Sequence, residues 1–308
     1  LKEETKDGKT FNLREGPFDS YERTVEISTG DSGLHVTETF TYQIAASIWN
    51  ILLSVPIRRA LKKGGAANKR LWWTPPNLFD SETTKTISLL CVAAVITGYF
   101  GALLGQTATF ATDEFGAGDR AQGILLASVR VGTLITVVVT GLADKQGRKR
   151  LLLFSLWGGC FMTILSAVAP NLLLLGITQA VARGFATAIS ILVGIMAAEA
   201  APKGSRAYIA GVLTLTAGLG AGIPVWLLFL ADIKEPAWRL LFLVSVLFLP
   251  VVSWINKHLN ESHRFRTHQK IQPTTSNDGA APIVWSRFII LAAVAFFILM
   301  FAAPASQF

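Results

Sequence analysis

Apolar residues recur along this chain in seven long stretches that are separated by short polar segments. The stretches cover residues 87–110, 121–143, 151–169, 171–198, 207–231, 240–256 and 288–304. Roughly 20 apolar residues cross the hydrocarbon core of a bilayer as a helix, and these stretches have about that length. The pattern predicts an all-α polytopic membrane protein, with six helices over 81–256, a polar loop over 257–287 and a seventh helix in 288–308.

Residues 1–80 follow a different pattern. Two runs at 21–27 and 34–42 alternate apolar and polar residues around a glycine-rich turn, which predicts a β-hairpin. A helical segment at 44–61 follows and is too short to span a bilayer. It is either the terminal helix of a small α+β segment or an amphipathic helix on the membrane surface, and the sequence leaves both open. Two strands and a helix weakly resemble the end of a helix-grip domain whose front is missing.

Composition agrees with a membrane protein. Hydrophobic residues make up 51% of the chain and charged residues 16%, and the mean hydropathy is +0.47, more apolar than a soluble domain of this length. The net charge of +8 does not indicate nucleic acid, because the bases gather in alternate loops. By the positive-inside rule, this distribution places the N-terminus and the 144–150 and 257–287 loops in the cytoplasm of a multi-pass plasma-membrane protein.

Three loop segments carry a recognisable pattern. The first runs from Gly141 through Asp144 and Gly147 to the bases 148–150; the second is Glu199-Ala-Ala-Pro-Lys-Gly-Ser-Arg206, and the third is Asn260-Glu-Ser-His-Arg264. In this order and spacing they resemble the loops of the major facilitator superfamily of secondary transporters, in particular its sugar porters and organic-ion transporters. Two positions differ, since the family has a glycine in place of Thr140 and a proline in place of Asn260.

The resemblance implies a division of the chain. Family members consist of two six-helix halves joined by a cytoplasmic loop. Residues 81–256 are then expected to be the N-terminal half, 257–287 the central loop, and 288–308 the first helix of a C-terminal half. We expect the rest of that C-terminal half to be a partner that the chain lacks.

The resemblance also suggests a cytoplasmic gate. Charges of both signs at neighbouring helix ends can form ion pairs that hold in only one conformational state, each worth about 1–3 kcal/mol when partly buried. The predicted gating residues are Asp144, Gly147, Arg148, Glu199, Arg206, Glu261 and Arg264. The alternative for such bases is that they only set the topology, and we favour that alternative for Lys145, Lys149 and Lys203.

Two arginines, Arg130 and Arg183, lie midway along apolar stretches, where charged residues are usually functional. Arg183 shares a helix face with Gln179, and Tyr99 shares one with Gln106, so the predicted substrate-binding residues are Tyr99, Gln106, Gln179 and Arg183. Packing is the alternative for Tyr99, and interhelical hydrogen bonding for both glutamines. Arg130 is an intramembrane charge that could instead pair across the interface with the other half.

These residues favour a secondary active transporter that moves a small polar or anionic organic solute through the lipid bilayer by alternating access, with a coupling ion such as H⁺ in a symporter. The alternative is a transporter-like receptor, scaffold or lipid-handling protein that serves the N-terminal segment. We expect no enzyme activity and no cofactor. A metal site is not expected either, because the spacing of five residues between His258, His263 and His268 spreads them around a helix. Both cysteines lie in apolar stretches and predict no disulfide.

Overall fold

The computed structural model describes residues 1–5, 7–30, 33–62, 74–132, 135–136 and 147–261, which comprise an N-terminal sheet and a bundle of apolar helices. The sheet is an antiparallel meander of four strands in chain order. The strands are β1 (Lys2–Thr5), β2 (Thr10–Glu15), β3 (Phe18–Gly30) and β4 (Gly33–Ile44).

Strands β3 and β4 form the hairpin that the alternating pattern predicted, and they are longer than predicted. They pair from Phe18 opposite Ile44 to Gly30 opposite Gly33. The sequence did not predict β1 and β2, because both strands are short and largely polar. Tyr21 and Arg23 of β3 reach across β2 to Glu3 of β1, with contacts of 2.6 and 2.8 Å.

Helix α1 (Asn50–Lys62) follows a short 3₁₀ turn and packs on the sheet. Its Ile57 and Leu61 contact a buried cluster whose members are Phe18, Tyr21, Ile44 and Ala46. This contact favours the terminal helix of a small α+β segment over a helix on the membrane surface. Val55, in contrast, is 53% exposed, and a membrane contact of that side of the helix stays a prediction.

Eight helices, α1 included, are described, and α2 to α8 form the bundle. They are α2 (Ser81–Glu114), α3 (Asp119–Val131), α4 (Arg148–Ala167), α5 (Leu172–Ala200), α6 (Arg206–Trp226), α7 (Trp238–Leu243) and α8 (Phe248–His258). Two begin with side-chain caps, because Asp80 accepts from the Thr83 amide and Asn171 from the Leu174 amide. Short 3₁₀ segments at Leu228–Ile233 and Glu235–Ala237 connect α6 to α7, and another at Val244–Leu247 connects α7 to α8.

Five segments of the described chain are long and apolar enough to cross a membrane: Ser81–Glu114, Arg148–Ala167, Leu172–Ala200, Arg206–Ile233 and Trp238–His258. They correspond to five of the seven predicted spans. The predicted span at 121–143 is described as α3 and a few residues beyond it, and the span at 288–304 lies outside the described residues. The bundle therefore agrees with a polytopic all-α protein, while the full count of helices stays a prediction.

Glycines on both helices bring α2 and α6 close together. A Cβ atom added at Gly98 of α2 would lie 2.8 Å from the carbonyl carbon of Ala217 on α6, and one at Gly220 would lie 2.7 Å from the carbonyl carbon of Val95. Gly105 lies on the same helix, yet a Cβ there would meet nothing within 4 Å. Small residues do let these helices approach, through Gly98 rather than Gly105.

The N-terminal sheet is attached to the start of α2. The Asp19 carboxylate accepts a hydrogen bond from the Ser81 hydroxyl at 2.5 Å and pairs with Lys85 at 2.8 Å, while the Trp49 indole donates to the Ser88 carbonyl at 3.2 Å. Burial alone would raise the pKa of Asp19, but the hydrogen bonds from Lys85 and Ser81 outweigh it and the pKa lies below its ordinary value. The sheet and the first apolar helix are thus joined by a charged contact.

Candidate functional site

A cavity of about 340 Å³ opens between α2, α5 and α6. Its wall is built mainly from small side chains, among them Ala94, Gly194, Ala197 and Ala217. Small residues that face each other on three helices leave unfilled space between the helices. The cavity is therefore the default candidate for binding a small molecule, since ligand sites are concave, mostly apolar and carry a few polar groups.

The polar groups of the cavity are few. Thr97, Ser190, Thr214 and Arg206 contribute them. The hydroxyls of Thr97 and Thr214 donate to carbonyls of their own helices, at 2.8 Å to Ala93 and 2.9 Å to Ala210. Each of these hydroxyl oxygens still has lone pairs that can accept, so the wall offers acceptors along its length and a cation at Arg206.

Arg206 lies in the first turn of α6 and is exposed. The sequence predicted it as a gating residue that pairs with a glutamate. Among the described residues it forms no ion pair, and it lines the cavity instead. Arg206 is therefore a residue of the cavity wall and not a member of an ion pair within the described chain.

Arg183 lies on the same face of α5 as Ser190, two turns earlier. Its Nη1 donates to the carbonyl oxygen of Gly101 on α2 at 2.5 Å, and the residue is otherwise exposed on the open side of the bundle. A Cβ at Gly101 would stand 3.4 Å from Nη1, so a glycine there leaves room for the guanidinium to lie against α2. Arg183 is not among the residues that line the cavity, but it lies on the same helix face as Ser190, which is.

Arg130 of α3 lies near Arg183. Helices α3 and α5 touch at glycines that neighbour the two arginines: a Cβ at Gly132 would lie 2.5 Å from the Ala180 carbonyl carbon, and one at Gly184 would lie 2.8 Å from the Ile135 Cβ. The sequence had suggested that Arg130 pairs across an interface with another half, and no described residue tests that pairing.

Arg148, Glu199 and Glu261 form a charge cluster at the start of α4. Arg148 at the start of α4 forms an ion pair with Glu199 at the end of α5, and both side chains are mostly buried, at 19% and 13% exposure. The Glu261 carboxylate accepts hydrogen bonds from the backbone amides of Arg148 and Lys149, each at 3.1 Å. The sequence expected Glu261 to pair with an arginine side chain, and its contacts with these two amides were not predicted.

Gly147 explains why the start of α4 needs the Glu261 carboxylate as an acceptor. It is the N-cap residue, with φ of 97°, and it has no side chain to cap the helix. A side chain at this φ would be strained, so the amides of the first turn depend on a carboxylate from elsewhere. Glu261 supplies it, and its negative charge also suits the positive end of a helix dipole.

At the C-terminal end of α4 the charges are reversed, because a cation there donates to backbone carbonyl groups. Arg239, at the start of α7, donates to the carbonyls of Ala167 and Ala169 at 2.8 and 2.9 Å and pairs with Glu114 of α2 at 2.9 Å. The Trp238 indole donates to the same carboxylate at 2.5 Å. Arg239 of α7 and Glu261, which follows α8, therefore bind α4 at its two ends.

None of the four predicted substrate-binding residues, Arg183 included, is among the residues that line the cavity. Tyr99 is fully buried, donates to the Leu241 carbonyl and packs on Phe248, with ring centroids 5.1 Å apart. Gln179 is 3% exposed and donates to the Ser166 hydroxyl at 2.8 Å. Gln106 is half-buried and does not line the cavity. In this structure Tyr99 and Gln179 take part in interhelical packing, and their assignment to substrate binding stays a prediction.

Two predicted gating residues cannot be placed. Asp144 and Arg264 lie outside the described residues, so their part in the charge cluster stays a prediction. Within the described ranges, no three His, Cys, Asp or Glu side chains lie together in a way that could hold a metal ion.

Comparison with known proteins decides the family. The family model of the Major Facilitator Superfamily matches residues 89–308, more than half of the chain. The chain belongs to the major facilitator superfamily. Together with the apolar helices, this membership makes it a multi-pass membrane protein.

Two curated relatives from Escherichia coli (strain K12) are similar to this facilitator chain. YdfJ, which is named for a proposed transport role, is 26% identical over 61% of the chain and 49% of its own length. The shikimate transporter is 25% identical over 58% of the chain and 46% of its own length. The chain thus spans about half the length of the curated relatives it matches. Both names describe transport, which does not favour a receptor or scaffold.

Proposed function

We propose that this facilitator chain is part of a secondary transporter that moves a small polar or anionic organic solute by alternating access. Three observations support the proposal: family membership, the names of both relatives, and a cavity between α2, α5 and α6. The cavity volume of about 340 Å³ lies near the lower limit of ligand pockets, which suits a small solute.

Arg183 is the observation that carries the anionic part of the proposal. A charged residue midway along a membrane helix costs at least ~2.5 kcal/mol on insertion scales. Such a residue usually faces water or a partner, and the Arg183 side chain is exposed in the described part of the chain. Its one described hydrogen bond, to Gly101, leaves guanidinium N–H groups that can hold a carboxylate by two parallel bonds. Shikimate, named for one relative, is a carboxylate.

The charge cluster at the Glu199 end would bias the transport cycle. The Arg148–Glu199 pair and the Glu261 contacts join the start of α4 to the ends of α5 and α8. If these contacts, with Asp144 and Arg264, hold in only one of two states, each shifts the balance between the states. A coupling ion such as H⁺ and a cytoplasmic N-terminus remain part of the proposal.

The test compares arginine variants of the full-length protein in proteoliposomes at matched abundance. Arg183→Ala should abolish binding of an anionic solute such as shikimate, and Arg183→Lys should weaken it, because lysine keeps the charge but loses the planar fork. The control is Arg120→Ala, which removes an exposed arginine from the first turn of α3. Unchanged affinity in Arg183→Ala would show that this arginine is structural and would remove the basis for an anionic solute.

A further inference from the structure

A cavity of about 390 Å³ lies where the N-terminal sheet meets the ends of α2 and α8. Its wall combines Asp19 and Ala45 of the N-terminal segment with residues of α2 between 82 and 89 and residues between 254 and 260 at the end of α8. It shares no residue with the cavity between α2, α5 and α6. We propose that it is a second ligand site, and that its ligand is a small aliphatic amino acid, with an ammonium group and a carboxylate at the two ends of a short apolar chain.

The acidic groups of this cavity come from β3 and α2. Asp19 has partners within the protein, since it accepts a hydrogen bond from the Ser81 hydroxyl and pairs with Lys85 at 2.8 Å. Glu82 is held less firmly. Its side chain is 70% exposed, and its ion pair with Lys85 is a 3.8 Å contact to a lysine that Asp19 already binds more closely. The carboxylate oxygens of Glu82 can therefore accept hydrogen bonds from an ammonium group.

The cationic groups that lack a carboxylate partner come from α8. Lys257 and His258 are exposed in its last turn, and neither forms an ion pair within the described chain. The ammonium group of Lys257 thus offers its N–H donors to an anion. The Nδ1 of His258 donates to the Trp254 carbonyl at 3.0 Å, so Nε2 adds a donor only when the ring is protonated. The Asn260 side chain, which also lines the cavity, supplies a neutral donor.

The remaining lining includes apolar side chains. Ala45 and Leu89 are buried and Trp254 is half-buried. A ligand with a single charge would leave either Glu82 or Lys257 without a partner. A small aliphatic zwitterion can satisfy both and place its methylene groups against the apolar side chains. Because Glu82 belongs to α2 and Lys257 to α8, such a ligand would also link the ends of these two helices beside the N-terminal sheet.

The test uses three probes of the same chain length. 6-Aminohexanoate carries both charges, hexanoate lacks the ammonium group, and hexylamine lacks the carboxylate. Their dissociation constants for the purified full-length protein are measured by calorimetry in a nonionic detergent at pH 7.5. 6-Aminohexanoate should bind at least about tenfold more tightly than either single-charge probe, since one hydrogen bond to a charged group contributes about that factor. Tryptophan fluorescence locates the ligand, because Trp254 lines the cavity.

Each charge of the site is removed in turn. Lys257→Gln should weaken binding of 6-aminohexanoate about tenfold and leave binding of hexylamine unchanged, because hexylamine has no carboxylate to lose. Glu82→Gln should weaken 6-aminohexanoate by a similar factor and leave hexanoate unchanged. Lys234→Gln is the matched control, since Lys234 is exposed and lines neither cavity, and it should change no constant. Thermal unfolding confirms that each variant is folded.

Equal binding of 6-aminohexanoate and either single-charge probe would overturn the inference, and so would the absence of binding by 6-aminohexanoate. A fluorescence response that persists in full in Trp254→Phe would also overturn it, because the ligand would then lie elsewhere. The inference goes beyond the proposed transport function, and its failure would leave the solute site at Arg183 to be judged by its own variants.

Discussion

Replacing Gly98 by alanine tests the packing that shapes the cavity. The new Cβ would lie 2.8 Å from the carbonyl carbon of Ala217 and 2.9 Å from the backbone nitrogen of Ala221, well inside ordinary contact. Both are backbone atoms, so no side-chain rotation relieves the overlap and α2 and α6 have to separate by about 1 Å. Overpacking of this kind costs about 2 kcal/mol, which would lower the melting temperature by about 4–8 °C.

Gly105→Ala is the matched control on the same helix. A Cβ there would meet nothing within 4 Å, and alanine favours helix over glycine by roughly 0.5–1 kcal/mol. We therefore expect Gly105→Ala to melt at the wild-type temperature or slightly above it, while Gly98→Ala melts lower.

The chain provides its own reporter for this experiment. Cys91 on α2 and Cys160 on α4 are free and buried, so a thiol-reactive fluorescent dye labels them only as the bundle opens. Melting is followed by dye fluorescence on detergent-purified protein, and Gly220→Ala, which adds a Cβ on the α6 side of the same contact, should behave like Gly98→Ala. If Gly98→Ala and the wild type open at the same temperature, the close approach of α2 and α6 is not what holds them together.

Three further predictions concern the charged contacts. Glu261→Ala should destabilise the bundle by about 1–3 kcal/mol, because two amides at the start of α4 lose their acceptor; Glu261→Gln should be milder, and equal melting curves for all three proteins would contradict this. Asp19→Asn should loosen the sheet from α2, seen as faster hydrogen exchange in β3. Because the pKa of Asp19 lies below 3.8, its contact with Lys85 should persist above that pH and be lost as the pH falls through the lowered pKa; exchange in β3 independent of pH would refute it. Glu114→Gln should weaken the hold of Arg239 on α2 and lower the melting temperature, and no change would show that the ion pair contributes nothing.

The apolar pattern predicted the spans well, because a helix in lipid needs a long uninterrupted apolar sequence. Five of these spans appear as helices within the described residues. Charge patterns were less informative about partners. The sequence shows that Glu261 is an acid near several bases, but only the fold reveals that the backbone amides of α4 are its partners.

Helix periodicity also has a limit, which Tyr99 illustrates. A seven-residue interval predicts that Tyr99 and Gln106 point in similar directions. It does not tell which neighbouring helix covers that direction, and in this fold the α7–α8 segment covers Tyr99. Similarly, the glycines of α2 all look suitable for close packing in the sequence. Only the position of α6 selects Gly98 among them.

Because the N-terminal sheet is attached to α2, the far end of the β3–β4 hairpin should move when α2 tilts. Asp19, near the start of β3, is joined to Ser81 and Lys85, and Ile27 lies eight residues farther along the strand, about 26 Å away. If the sheet turns with α2, a tilt of about 10° would carry Ile27 through about 5 Å by simple leverage. Ile27 is 66% exposed and pairs with Val36 across the hairpin. A spectroscopic label at this pair would therefore read, from outside the bundle, a change of helix tilt that is hard to measure within it.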